Sequence, residues 1–395
     1  MKIKLYELRP DEQAAFSRAA AALPDGYSID AVAEPLSAEN IDALAGYEAI
    51  VITNKSLLTA DIVARLQQLG VRYVSSRCVG FNHIDLPAVK AAGIRVCNTT
   101  YPPYGVAEFA IMLMLMALRK CKPAIWRMQV NDYSLEGLLG RELRTMTVGV
   151  MGTGRIGRAV VDYLGGFGCK ILAYDPYPAQ DLAARGGVEY VGLDELYRAS
   201  DLITVHVPLM DSTRNTIDEA ALRRMKPTAA LLNFARGPLV DAAAVRSALE
   251  EGRLRTYVSD FPSPELIGAK NVVVTPHLGA STPESEDNCV RMVARQIDDY
   301  LKNGSIVNSC NYPNCPMGRC VVPRITVLHQ NVPNVIGAIT QRLSSEGLNI
   351  ENMVNQSRGA LAYTVVDVSA RPSEALIESL RSLETSYRVR LLMPQ

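Results

Sequence analysis

Two things are absent from this 395-residue sequence: an excess of charge of either sign, and an apolar run long enough to cross a bilayer. Lys plus Arg and Asp plus Glu each total 41, so no basic or acidic surplus marks a nucleic-acid or membrane partner, and small-molecule chemistry is expected. The longest apolar run, Phe109 to Leu118, is too short for a membrane span, and the opening MKIKLYELRPDE lacks the apolar core of a signal peptide. A cytoplasmic protein is expected. Metal-binding CxxC spacing is also missing. Of eight cysteines, five are scattered and three, Cys310, Cys315 and Cys320, lie in a Pro- and Asn-rich stretch with no apparent fourth ligand. That stretch reads as a connector, with a redox-sensitive linker as the alternative and no metal expected. With 48% hydrophobic residues, the chain can bury large cores in about two to three domains.

What is present begins with a phosphate-binding turn. Thr147-Val-Gly-Val-Met-Gly152-Thr-Gly154-Arg155-Ile156-Gly157 runs from a short apolar strand through glycines into a helical pattern. In a GxGxxG turn of this kind, Gly152 makes the tight bend, Gly154 lets the backbone approach a pyrophosphate, and Gly157 lets helix and strand pack closely. The next apolar run ends in Asp175, close to the ~20-residue offset of a ribose-binding carboxylate. An acid there accepts the ribose hydroxyls and repels a 2′-phosphate, so NAD is expected rather than NADP.

Downstream stand a cation, a carboxylate and an imidazole in the contexts NFARG, PSPEL and TPHLGAS: Arg236, Glu265 and His277. Hydride transfer to a keto group builds negative charge on oxygen, and histidine is the side chain suited to supply the proton. A neighbouring carboxylate, Glu265, would raise the imidazole pKa and fix its tautomer. Arg236 would hold a substrate carboxylate through two hydrogen bonds and polarise the adjacent carbonyl. Of the other three histidines, His83 in FNHID reads as structural. His206 in VHVP ends a strand at the cofactor edge, where its backbone rather than its ring would meet the adenosine.

Short apolar runs alternating with helical stretches predict parallel sheets. The expected fold is α/β: two Rossmann-like doubly wound parallel-sheet domains plus a C-terminal ferredoxin-like α+β domain. Residues 1–98 with 283–308 would form a substrate domain and 99–282 an NAD-binding domain. Residues 309–323 would be a linker, and 324–395, with a βαββαβ pattern, a regulatory or assembly module. The helix Val106 to Leu118 is apolar all round, so it is either core or a dimer seam.

Taken together, the fingerprint, HVPL, NFARG and TPH resemble the D-isomer-specific 2-hydroxyacid dehydrogenases over residues 1–308, and the tail resembles an ACT domain. The resemblance implies that Arg236, Glu265 and His277 hold the roles above. It also implies that Asp260 binds the nicotinamide carboxamide, that Arg155, Ile156, His206, Pro208 and Ala235 border NAD, and that Val79 and Gly80 amides bind the substrate carboxylate. Two regions point to different members. RCVGFNHID and YPPYGVAE resemble D-lactate dehydrogenases, whereas PHLGASTPESEDN and the tail resemble 3-phosphoglycerate dehydrogenase of serine biosynthesis. Lys55 and Tyr101 fall where substrate would be selected. Thr53-Asn54-Lys55 offers no arginine fork for a phosphate, which favours a small unphosphorylated 2-keto acid. By the same resemblance His329, Asn331 and Asn349 match an amino-acid effector site, and the helix Val106 to Leu118 is the dimer seam of a homodimer, or of a homotetramer if the ACT domains also pair. An NADH-sensing corepressor-like protein is the non-enzymatic alternative, and the intact triad argues against it.

Overall fold

A computed structural model describes residues 1–21, 26–100, 102–184 and 186–394. Tyr101 therefore lies outside the described residues. The chain divides into two compact units, Met1–Tyr101 with Pro283–Gln395, and Pro102–Thr282.

The first unit opens with β1 (Lys2–Leu5), α1 (Gln13–Ala21), β2 (Ser28–Ala31), β3 (Ala49–Ile52), α2 (Ala60–Gln68), β4 (Tyr73–Ser76), α3 (Leu86–Ala91) and β5 (Arg95–Asn98). Its parallel sheet has the order β2-β1-β3-β4-β5. Side chains alternate across a strand, so Ile50 and Ile52 enter the core that holds α2 and α3, while Ala49 and Val51 enter a second core on the opposite face.

The second unit contains α4 (Tyr104–Leu118), α5 (Cys121–Gln129), β6 (Thr147–Met151), α6 (Arg155–Phe167), β7 (Lys170–Tyr174), α7 (Gln180–Ala184) and β8 (Val188–Tyr190). It continues with α8 (Leu193–Ala199), β9 (Leu202–Val205), α9 (Glu219–Arg224), β10 (Ala230–Asn233), α10 (Ala242–Glu250), β11 (Thr256–Ser259) and β12 (Val272–Val274). All seven strands are parallel, in the order β12-β11-β10-β9-β6-β7-β8. One face packs on α4 and α6 and the other on α8, α9 and α10, the doubly wound arrangement. Most of α4 is core: Val106, Ala110, Leu113, Met114 and Leu118 are buried. Exposed apolar side chains instead follow it, on α5 and residues 130–139.

The chain then returns to the first unit through α11 (Pro283–Asn303) and ends in β13 (Arg324–Gln330), α12 (Val335–Ser345), β14 (Ile350–Arg358), β15 (Leu361–Val368), α13 (Glu374–Arg381) and β16 (Ser386–Leu392). These last strands form an antiparallel sheet, β14-β15-β13-β16, the ferredoxin-like order expected of βαββαβ. One face packs on α12 and α13 through Val327, Val366 and Leu380. The other does not face solvent. Leu328, Tyr363 and Val365 join Ile3, Leu5, Val51, Tyr73 and Tyr300 in one core with the first sheet.

The stretch 309–323 differs from a free connector for the same reason. Cys310, Tyr312, Cys315 and Cys320 are buried, and Tyr312 and Cys315 belong to that shared core. Burial pushes the Cys310 thiol up to about 12 and the Cys315 thiol up to about 11, so neither is a ready thiolate. Among the described residues no cluster of His, Cys, Asp or Glu could hold a metal. Polar ties reinforce the packing. Arg324 donates to Asp367 at 2.5 and 3.0 Å and to the Asn303 carbonyl at 2.7 Å, and Arg388 donates to Tyr73 Oη at 2.8 Å. Arg390 and Arg95 both lie over the Tyr300 ring, at 4.4 and 4.3 Å.

Candidate active site

The second unit carries its chemistry along one sheet edge. The turns after β6, β7, β9, β10, β11 and β12 hold, in that order, the glycine loop, Asp175, His206 with Pro208, Ala235 with Arg236, Asp260, and His277. These are carboxyl ends of neighbouring strands, and the strand order reverses between β9 and β6, where ligands bind in open α/β sheets.

The residues there fit a dinucleotide. Gly152 sits at φ +92°, and a Cβ on it would press on the His206 backbone and the Val207 side chain. A Cβ on Gly157 would overlap the Gly152 carbonyl oxygen, so this glycine serves the helix–strand contact. Gly154, the N-cap of α6, meets nothing within 4 Å, so its surface is open to a ligand. Arg155 and Ile156 begin the helix behind it. Asp175 accepts from Thr153 N at 2.8 Å, Thr153 Oγ1 at 3.1 Å and Tyr177 N at 2.9 Å, and Tyr190 Oη donates to Thr153 Oγ1 at 2.9 Å. Oδ2 takes both bonds from Thr153, and Oδ1, which takes the one from Tyr177, keeps a lone pair for a ribose hydroxyl. His206 bonds Thr204 Oγ1 through Nε2 at 2.9 Å, and its buried Nδ1 has no partner among the described residues. Burial drives its pKa down to about 4, so the ring is neutral and cannot act as an acid at pH 7.

Asp175→Ser should raise kcat/KM for NADPH relative to NADH by about tenfold or more, since the charge opposing a 2′-phosphate is lost. Steady-state kinetics with both cofactors check this, and an unchanged ratio removes the role assigned to Asp175.

Arg236 sits in extended backbone beyond β10, its Nη1 donating to the Ala235 carbonyl at 2.6 Å. Asn233, fully buried, holds that turn: its Nδ2 donates to Arg236 O at 2.9 Å and its Oδ1 accepts from Ala235 N at 3.1 Å. Sequence reasoning passed over Asn233, although it stands in the NFARG motif that located Arg236.

His277 has a left-handed backbone, φ +62°, and its ring lies 4.9 Å from that of Phe261. Asp260, 2% exposed, holds this turn. It accepts from Thr275 Oγ1 at 2.6 Å, Leu278 N at 2.8 Å and Gly279 N at 2.7 Å. These bonds make Asp260 the anchor of the His277 turn, a role not expected beside the implied nicotinamide contact. The two backbone amides that follow a left-handed His277 converge on its carboxylate, which is thereby largely consumed. The pKa of His277 is lowered chiefly by burial; the Asp260 charge opposes this and Arg236 adds to it.

Glu265 also differs from expectation. It lies exposed in the turn after β11, where Ser263 Oγ donates to its carboxylate and holds its pKa below the usual range. Ser263, between Pro262 and Pro264, is the nearest donor along the chain, and the carboxylate charge acting on His277 is that of Asp260. The imidazole is therefore not raised as the sequence reading predicted.

In the first unit, Lys55, Val79 and Gly80 follow β3 and β4. Lys55 is exposed. The turn 78–80 is anchored by buried Arg77, which donates to Glu12 at 2.6 Å and to the Glu7 carbonyl at 2.9 Å, and by Asn98 Nδ2, which donates to Val79 O at 2.6 Å. His83 bonds Ser76 Oγ at 3.4 Å. In the tail, all three effector candidates are engaged internally. His329, 2% exposed, bonds Gln330 O and Thr364 Oγ1, both at 2.8 Å. Asn331 donates to Gly359 O at 3.0 Å and Asn349 to Glu351 at 2.9 Å. With both ring nitrogens occupied, His329 has none to offer an effector.

Among the described residues no helix is long and apolar enough to cross a membrane. The profile of the D-isomer specific 2-hydroxyacid dehydrogenase NAD-binding domain matches residues 111–279. The D-specific alpha-keto acid dehydrogenase of Enterococcus faecalis is 38% identical over 70% of this chain and 90% of its own length. The D-lactate dehydrogenase of Lactiplantibacillus pentosus is 33% identical over 77% of this chain and 97% of its own. Apo D-lactate dehydrogenase from Escherichia coli superposes with a TM-score of 0.72 at 31% identity, covering 78% of this chain and all of that one. The chain belongs to the D-isomer-specific 2-hydroxyacid dehydrogenases and is an NAD-dependent oxidoreductase of that family.

Proposed function

We propose that the enzyme reduces a small, unphosphorylated 2-keto acid to its D-2-hydroxy acid, a reaction of D-lactate type. The observation that carries this choice lies under the 53–56 turn. Buried Glu7 accepts there from Thr53 N and from Ser56 Oγ, so a carboxylate, rather than an arginine fork, underlies the position that would meet a substrate phosphate. A phosphate dianion would meet only the exposed Lys55 against that charge. The names of the relatives point the same way. Phosphoglycerate oxidation in serine synthesis is the second reading, supported by the likeness of PHLGASTPESEDN and the tail to that enzyme.

NADH supplies the hydride. Arg236 takes the substrate carboxylate, assisted by the amides of Val79 and Gly80, and its charge stabilises the developing alkoxide. His277 donates the proton to that oxygen. Asp260 acts by holding the turn and by its charge, and Glu265 leaves Ser263 to orient the imidazole when substrate is bound. NADH oxidation with pyruvate, phenylpyruvate and 3-phosphohydroxypyruvate side by side tests the reading. The unphosphorylated acids should show the higher kcat/KM, and a preference for 3-phosphohydroxypyruvate overturns it.

We place the self-association face on α5 and residues 130–139, where Trp126, Leu135 and Leu139 are 68, 83 and 88% exposed. Trp126 also lines an apolar groove of about 910 Å³, together with Leu113, Met116 and Leu138. Such a patch fits a second copy of the chain. Light scattering should give at least a dimer for the native chain and a monomer for the Trp126→Glu, Leu139→Glu double variant; a native monomer removes this assignment. We also assign the enzyme to the cytoplasm, in keeping with Cys97, Cys169, Cys310, Cys315 and Cys320, which are buried as free thiols.

A further inference from the structure

The first unit contains a cavity of about 410 Å³ that the reaction above does not use. Four segments meet in its wall: Phe81 in the substrate turn, Asn98 at the end of β5, residues 308–310 with 313–314, and Ser357 with Arg358 at the end of β14 in the tail. No acidic side chain lines it, and Arg358 is its one cation. Arg358 Nη1 donates to Ser309 O at 2.8 Å, a neutral partner that leaves the rest of the guanidinium fork available. Asn314 accepts from Ser309 N at 3.1 Å through Oδ1, which leaves its NH2 group to donate. Asn98 is the reverse: its Nδ2 is committed to Val79 O at 2.6 Å, and its Oδ1 remains an acceptor.

A planar fork with an adjacent amide donor suits a carboxylate, and an amide acceptor nearby suits an amino or hydroxyl group on the next carbon. We propose that this cavity binds a small organic acid carrying an α-amino or α-hydroxyl group. The carboxylate rests on Arg358 and Asn314, and the α-substituent faces Asn98. Because Asn98 also holds Val79, occupancy alters the turn that presents the Val79 and Gly80 amides, and so changes KM for the keto acid. That second step rests on the catalytic reading above; the binding itself does not. The site shares no residue with His329, Asn331 and Asn349.

Calorimetric titration of the full chain with L-serine, L-lactate and inorganic phosphate tests it. One site per chain is expected for L-serine or L-lactate, weakened about tenfold or more in Arg358→Leu and in Asn314→Leu and unchanged in Arg236→Gln. If Arg358→Leu melts early, Arg358→Lys, which keeps the charge but not the fork, takes its place. Heat that survives both cavity variants, heat lost in Arg236→Gln, heat with phosphate alone, or no heat with any probe overturns the proposal. Binding without any keto-acid reduction by NADH sinks the catalytic reading and leaves this site standing. Reduction without binding does the opposite.

Discussion

Replacing His277 by alanine is expected to lower kcat for keto-acid reduction by about two to four orders of magnitude while leaving NADH affinity nearly intact. The ring is the proton donor in the proposed reaction, and it lies on the β12 turn, away from the glycine loop that grips the dinucleotide. Stopped-flow turnover and fluorescence titration with NADH separate the two effects, and unchanged turnover refutes the assignment. The pH dependence follows from the charges around the ring. Reduction needs imidazolium, and burial together with Arg236 lowers the His277 pKa. Hence kcat/KM for reduction falls as pH rises through a pKa below the ordinary histidine value, whereas oxidation finds its neutral base already formed at pH 7. Asp260 opposes the lowering. Asp260→Asn should therefore move the fall to still lower pH, and a move to higher pH contradicts this account.

The second large effect separates two glycines of one motif. Gly157→Ala forces a methyl onto the Gly152 carbonyl oxygen, so α6 must shift from β6 at a cost of about 1–3 kcal/mol or more. Both the melting temperature and NADH affinity should fall. Gly154→Ala meets no protein atom within 4 Å. Its melting temperature should hold while NADH affinity drops about tenfold or more, because the methyl occupies the approach of the pyrophosphate. Equal behaviour of the two variants in thermal melts would show that Gly154 is not the ligand-facing position.

What could be read from the sequence was whatever is encoded locally. The strand–glycine–helix grammar of residues 147–157 located the cofactor edge, and NFARG and TPH marked neighbouring strand ends, because motif and turn are contiguous there. Two edge strands carry no such signal. β2 (SIDA) and β8 (VEY) are short and contain no buried residue, so neither shows the continuous apolar run of a central strand. The role of Asp260 was illegible for a different reason: it depends on a left-handed backbone at His277, many residues away, which aims two amides at the carboxylate. The stretch 309–323 misled by composition. Pro and Asn predict a loop, and a loop it is, but Tyr312 and Cys315 fill space between two sheets that no local pattern reveals.

The core that unites the first sheet with the tail has a consequence for synthesis. Ile3 and Leu5 emerge from the ribosome some 290 residues or more before their packing partners Ile297, Tyr300, Tyr312 and Tyr363. Residues 102–282, by contrast, are contiguous and hold both of their own cores. Domains fold as units during translation, so the dinucleotide unit can complete itself while residues 1–101 wait for 283–395. A message cut after α11 removes Tyr312, Cys315, Leu328, Tyr363 and Val365 from this core on the first sheet. The tail is thus the closing piece of the first domain as much as an appendage to it.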